Sequence, residues 1–176
     1  LRLARDAGFT HALQVDADGQ HTLTDIPRML SASRAAPAAL VLGMPVFDET
    51  APKARLVGRR ITIFWTRLEV GGGAIADPMC GFRIYPLPIS ADVTVWGDRM
   101  DFDPEIAVRL VWEGVPTRNV ETRVRYVSAE EGGVSHFHAF KDNVLISLMH
   151  SRLMTLKIMR FLFGWLWRKP RGRLPS

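Results

Sequence analysis

Four short apolar runs, at residues 11–15, 39–44, 81–85 and 117–127, alternate with longer stretches in which apolar side chains recur at helical spacing. That alternation constrains the fold more than any other property of the chain. Strand-length runs separated by amphipathic helices predict an α/β class with a parallel-type sheet core. The helices are expected at 1–8, closed by Gly8, at 24–33 with Pro27 in the first turn, at 57–69, and at 102–114. In the last of these, Glu105, Arg109 and Glu113 repeat every four residues opposite an apolar face. Residues 45–56 are polar and punctuated by proline, the pattern of a surface loop, and Pro86 and Pro88 are expected to stop the third strand. With 176 residues, 47% of them apolar, the chain can bury one real core.

The first strand runs directly into Asp16-Ala17-Asp18-Gly19-Gln20-His21. Ligands of open α/β sheets sit outside the carboxyl ends of the strands, so these acidic residues fall where chemistry is expected. Carboxylates at i and i+2 of an extended backbone share one side, and Gly19 lets a ligand approach closely. Two hard oxygen donors next to a diphosphate make a Mg²⁺ or Mn²⁺ site, because Mg²⁺ takes one or two carboxylates and completes its shell with water and phosphate oxygens. The segment also has the composition of an ordinary solvated turn.

Arg60 and Arg83 are candidates for gripping phosphate, since a guanidinium offers paired donors and stays charged; Arg59 and Arg67 are read as surface residues. Asp103 is a candidate general base for a reacting hydroxyl, which must lose a proton, whereas a phosphate nucleophile needs no base. Its position at a helix start also suits capping. Ser135 and His136 follow Gly132-Gly133, a composition fit for a loop that orders over bound phosphate. His136 and His138 lack a second ligand pair at zinc spacing, and the single cysteine, Cys80, excludes an intrachain disulfide and fits a reducing compartment.

Val15-Asp16-Ala17-Asp18-Gly19-Gln20-His21 with Ile26-Pro27, then Asp77-Pro78-Met79-Cys80-Gly81-Phe82-Arg83-Ile84-Tyr85, then Phe102-Asp103-Pro104-Glu105, and finally Gly132-Gly133-Val134-Ser135, resemble in order the signatures of family 2 glycosyltransferases, especially the dolichyl- and polyprenyl-phosphate sugar synthases. Cys80 stands where serine is common in that group. The resemblance covers residues 16–143. It implies a GT-A fold lacking its N-terminal part, a nucleotide-sugar donor, a lipid-linked acceptor, and Mg²⁺ or Mn²⁺ as cofactor. It also implies that Asp16 meets the ribose or the metal, that Asp18 and Gln20 ligate the metal, and that Ser135 belongs to a loop over the phosphates.

Residues 144–167 are rich in Leu, Ile, Met, Phe and Trp, but His150, Arg152, Lys157 and Arg160 interrupt them. The chain is therefore expected to divide into a catalytic part, 1–143, and a basic, aromatic segment, 144–176, that lies on an anionic membrane rather than crossing it. The net charge of +5 suits the same partner, and no nucleic-acid-binding motif accompanies it. The expected place is peripheral, on the cytoplasmic face of a bacterial inner membrane. A non-catalytic membrane-binding or regulatory module with the same fold is the alternative.

Overall fold

Ala39 to Leu42 are wholly buried, and the strand they open, β2 (Leu40–Phe47), is an inner strand of a four-stranded sheet. The computed structural model describes residues 1–47, 53–125 and 138–163. In them β1 (His11–Gln14), β3 (Arg83–Pro86), β2 and β4 (Thr117–Val124) lie side by side in that order. β2 and β4 run parallel over their full lengths, from Leu40 opposite Thr117 to Phe47 opposite Val124. β3 is antiparallel to both neighbours, pairing Ile84 with Leu13 on one side and with Val41 on the other. The expected parallel core is thus corrected to a mixed sheet. Apolar content marks a strand as buried but carries no information about its direction.

The helices are α1 (Arg2–Asp6), α2 (Ile26–Ala35), α3 (Lys53–Val70), α4 (Leu87–Asp92), α5 (Phe102–Trp112) and α6 (Ala139–Leu162), with a 3₁₀ turn at Leu23–Asp25. Period-two alternation splits the core between the faces of the sheet. Leu40, Leu42 and Tyr85 point to Ile106 and Leu110 of α5 and to Met149 and Leu153 of α6. Val41, Phe82 and Ile84 point to Met29 of α2.

Pro45 acts differently from expectation, while the third strand stops at the expected prolines. β2 continues through Pro45, because the backbone nitrogen of Gly43 bonds Phe82 O at 2.8 Å and that of Pro45, two residues on, faces the same side, where pairing to β3 has ended. Pro86 is the last residue of β3, and Pro88 sits in the first turn of α4, where a missing N–H costs nothing.

The division at residue 143 falls inside α6, and Ile146, Met149 and Leu153 join the main core. The helix is part of the body up to Leu162. Three of its basic residues also turn inward. Arg152 bonds Glu105 at 2.5 Å, Lys157 donates to the carbonyl of Leu68, and Arg160 lies over the Trp112 ring with its guanidinium carbon 5.4 Å from the centroid. No helix of the described residues is long and apolar enough to cross a membrane.

Candidate functional site

The site forms where β1 ends, between the turn that follows it, the segment leading into β3, and the first turn of α5. Asp16 follows β1 by two residues, and its carboxylate occupies the space in front of Gly81: a Cβ built on Gly81 would overlap both Asp16 oxygens and the carboxyl carbon. Gly81 is therefore required by Asp16, and the two sequence segments interlock. The Asp16 side chain is still 42% exposed, so it faces the cleft and not the core.

Asp18 is not on an extended backbone. Residues 17 and 18 form a turn, Asp18 Oδ1 accepts the backbone N–H of Gln20 at 3.0 Å, and Gly19 takes a positive φ of 73°. The same-side argument from extended spacing is corrected accordingly: a turn held by a local hydrogen bond, and not an extended strand, sets where Asp18 lies. The backbone carbonyl of Gln20 accepts from Arg125 N at 3.1 Å, which ties the turn to the end of β4.

Two other carboxylates act on Asp16. Burial, then the charge of Asp103, and also that of Asp18, push the Asp16 carboxyl above its ordinary range, against the pull of His21 and Arg83. His21 Nε2 lies 4.0 Å from Asp16 Oδ2, its ring meets Phe82 edge-on at 5.4 Å, and burial lowers its basicity. Its Nδ1 is buried with no hydrogen-bond partner among the described residues.

Asp103 is held from three sides. Gln14 Nε2 donates to its oxygens at 3.2 and 3.3 Å, the Tyr85 hydroxyl lies 3.4 Å from Oδ1 and 3.0 Å from Gln14 Oε1, and Arg83 Nη1 is 3.7 Å from Oδ1. The carboxylate thus looks across to β1, and the side chain keeps 20% of its surface exposed. It does not cap the helix; the cap position belongs to Asp101, which makes no side-chain capping bond.

Arg83 is corrected from a phosphate ligand to a buried tie. It is 0% exposed, and its guanidinium donates to the carbonyls of Cys80 at 2.7 Å, Pro78 at 2.5 Å and Asp103 at 2.6 Å. Burial opposes its charge, but Asp103 and the surrounding oxygen atoms hold it firmly protonated. Arg60 is corrected too: it is exposed on the outer side of α3, while its neighbour Arg59 turns to the site, pairing with buried Asp77 and stacking over Phe47 at 5.0 Å. One residue on a helix is a rotation of about 100°, so adjacent arginines cannot serve the same cleft. Asp77 in turn accepts Met79 N at 2.9 Å. Ser135 and His136 lie outside the described residues.

Gln14, Tyr85, Arg59 and the Asp16–Gly81 fit were not singled out from sequence. Gln14 carried a signal, being a polar side chain at the end of the strand next to the acidic turn.

The described residues include no group of three His, Cys, Asp or Glu side chains arranged for a metal ion. What is present is Asp16, with Asp103 and, more weakly, Asp18 near enough for their charges to raise its carboxyl. Such a donor set fits a divalent ion that takes most of its shell from water and substrate phosphate, and does not fit a closed protein cage. No family model matches the chain, and neither the curated proteins nor the solved structures contain a match.

Proposed function

We propose that this chain is the catalytic core of an inverting, metal-dependent glycosyltransferase of the GT-A type, moving a sugar from a nucleotide donor to a lipid-linked acceptor. The observation that carries the reading is the interlock of Asp16 with Gly81, which puts two motif segments far apart in sequence into one cleft that also holds Asp103. Carboxylates brought together without a matching cation repel one another, and a bound cation relieves that repulsion. Asp16 and Asp18, with Gln20 as a candidate further ligand, would hold a Mg²⁺ or Mn²⁺ ion, which would supply charge neutralisation for a departing nucleoside diphosphate.

The rest of the chemistry belongs to the chain. Gln14, Tyr85 and Arg83 fix Asp103 in one orientation, at the edge of the cleft, with lone pairs left to accept a proton from an acceptor hydroxyl. A single in-line displacement at the anomeric carbon inverts its configuration. Arg83, through the carbonyls of Pro78 and Cys80, keeps Gly81 against Asp16, so its role is to position the site.

The test is calorimetric titration of the protein with a panel of nucleoside diphosphates, with and without Mn²⁺, alongside Asp18→Ala. Metal-dependent binding that disappears in the variant supports the reading and identifies the base. A folded protein that binds none of them, with or without metal, sinks it in favour of a non-catalytic module.

A further inference from the structure

The outer face of α3 is apolar, and that of α6 is apolar toward both ends with Ser147, Ser151 and Thr155 between. Along α3, Val57, Ile61, Phe64 and Leu68 recur at helical spacing and are exposed, Ile61 and Phe64 at 56% each. Along α6, Val144, Leu148, Ile158 and Leu162 do the same, Leu148 at 60%. The helices pack together along a seam at Trp65 and His150, whose rings are 6.5 Å apart, and Lys157 crosses it to the carbonyl of Leu68. An exposed apolar surface built from two adjoining helices marks an interaction site.

Charge indicates the partner. Each helix has one carboxylate, Glu69 in α3 and Asp142 in α6, and both are buried, bonded to His150 at 2.7 Å and Arg99 at 3.1 Å. The exposed charges among the described side chains of the two helices are Arg60, Arg67 and Lys141, all positive. A second copy of this face would set these cations against their own kind. An anionic surface complements them. The hydroxyls of Ser147, Ser151 and Thr155, on the exposed side of α6, donate to carbonyls four residues back at 2.7, 2.9 and 2.8 Å, so this face carries few unmet donors into an apolar medium.

We infer that α3 and α6 together form a docking face for an anionic lipid bilayer, with the apolar side chains entering the interface and Arg60, Arg67 and Lys141 meeting lipid phosphates. Arg152, Lys157 and Arg160, which interrupt the apolar run in the sequence, pair with the body and take no part in this face. The inference deepens the lipid side of the proposed function and rests on that reading only for its biological purpose.

The experiment is co-sedimentation of the full chain with phosphatidylcholine vesicles, with and without about one third phosphatidylglycerol, in the absence of nucleotide. Ile61→Gln/Phe64→Gln and Leu148→Gln/Ile158→Gln are each expected to lower partitioning about tenfold or more, the order set by withdrawing one or two apolar side chains from lipid. Leu3→Gln, exposed on α1, is the control and leaves it unchanged. Arg60→Glu/Arg67→Glu is expected to abolish the preference for anionic vesicles. Circular dichroism checks that each variant folds. Wild-type binding in both apolar variants overturns the inference. So does equal binding to neutral and anionic vesicles, or a vesicle-free oligomer by light scattering that the apolar variants convert to monomer. Nucleotide titration is a separate readout, so failure here leaves the donor-site reading standing.

Discussion

Gly81 is the residue on which the site's geometry turns most sharply, because the space a side chain would fill there is taken by the Asp16 carboxylate. Gly81→Ala is expected to push that carboxylate aside. Since the displaced group is the end of a side chain and not backbone, the stability loss stays near 1 kcal/mol, at the low end for overpacking. Metal-dependent nucleotide affinity falls at least tenfold. Thermal unfolding and calorimetry on the same samples separate the two effects. Asp103 permits a second prediction. In Asp103→Asn the amide keeps the shape but cannot take a proton, so transfer to a hydroxyl acceptor drops by about 10² to 10⁴ while transfer to a phosphate acceptor changes little. Turnover measured against both acceptor types, with donor binding as control, distinguishes them. Asp16 and Asp103 were legible in the sequence from their positions at a strand end and a helix start. Gln14 and Tyr85 were not, because their roles depend on β1 and β3 pairing across some seventy residues, Gln14 opposite Arg83.

Among the elements, α5 depends on one carboxylate. Glu105 is buried and accepts from Gly97 N at 2.9 Å, Arg109 at 2.7 Å and Arg152 at 2.5 Å, with Trp96 N at 3.3 Å. The spacing of Glu105 and Arg109 predicted a surface pair, and the pair exists, but α6 and the segment before α5 close over it. Glu105→Ala strands two guanidinium groups and two backbone donors in a buried place. Breaking such a network costs about 3 to 5 kcal/mol, and urea unfolding is expected to show a loss of that size, with α6 the element it loosens. Arg152→Ala, which leaves Arg109 and both N–H groups in place, is expected to cost less. Helix α6 itself was visible in the sequence as an amphipathic run. Which arc faced inward was not, since arginine and lysine stems cover apolar surface as readily as they reach for solvent.

For the whole molecule, carboxylates shifted in opposite directions set how stability follows pH. Asp25, despite burial, is held low by the N–H of Arg123 and by Arg28, and Asp142 by Arg99 and the N–H of His138. In the unfolded chain both bind protons more readily, so their contribution is complete above the ordinary carboxylate range and is lost as pH falls through it and below. Asp16 has the opposite sign. Its raised value means that the native state holds the proton more tightly, so stability falls as pH rises from the ordinary carboxylate range through the raised value. Without divalent ions, Asp16→Asn is therefore expected to be more stable than the wild type at neutral pH, and the gap to narrow as pH falls toward the ordinary carboxylate range. Urea melts of both proteins between about pH 3 and pH 7 test the sign; a wild type at least as stable as the variant at neutral pH contradicts it.

The sequence by itself determined the α/β class, the order of the main strands and helices, and the placing of Asp16 and Asp18 just beyond β1, because periodicity and turn chemistry act over a few residues. Only the tertiary structure decided that β3 runs against its neighbours, that Arg83 is enclosed by carbonyls while Arg59 and not Arg60 pairs with Asp77, and that Arg152, Lys157 and Arg160 of α6 face the body. Those outcomes depend on which surfaces meet across long sequence separations. A charged side chain takes its role from the partner it finds there.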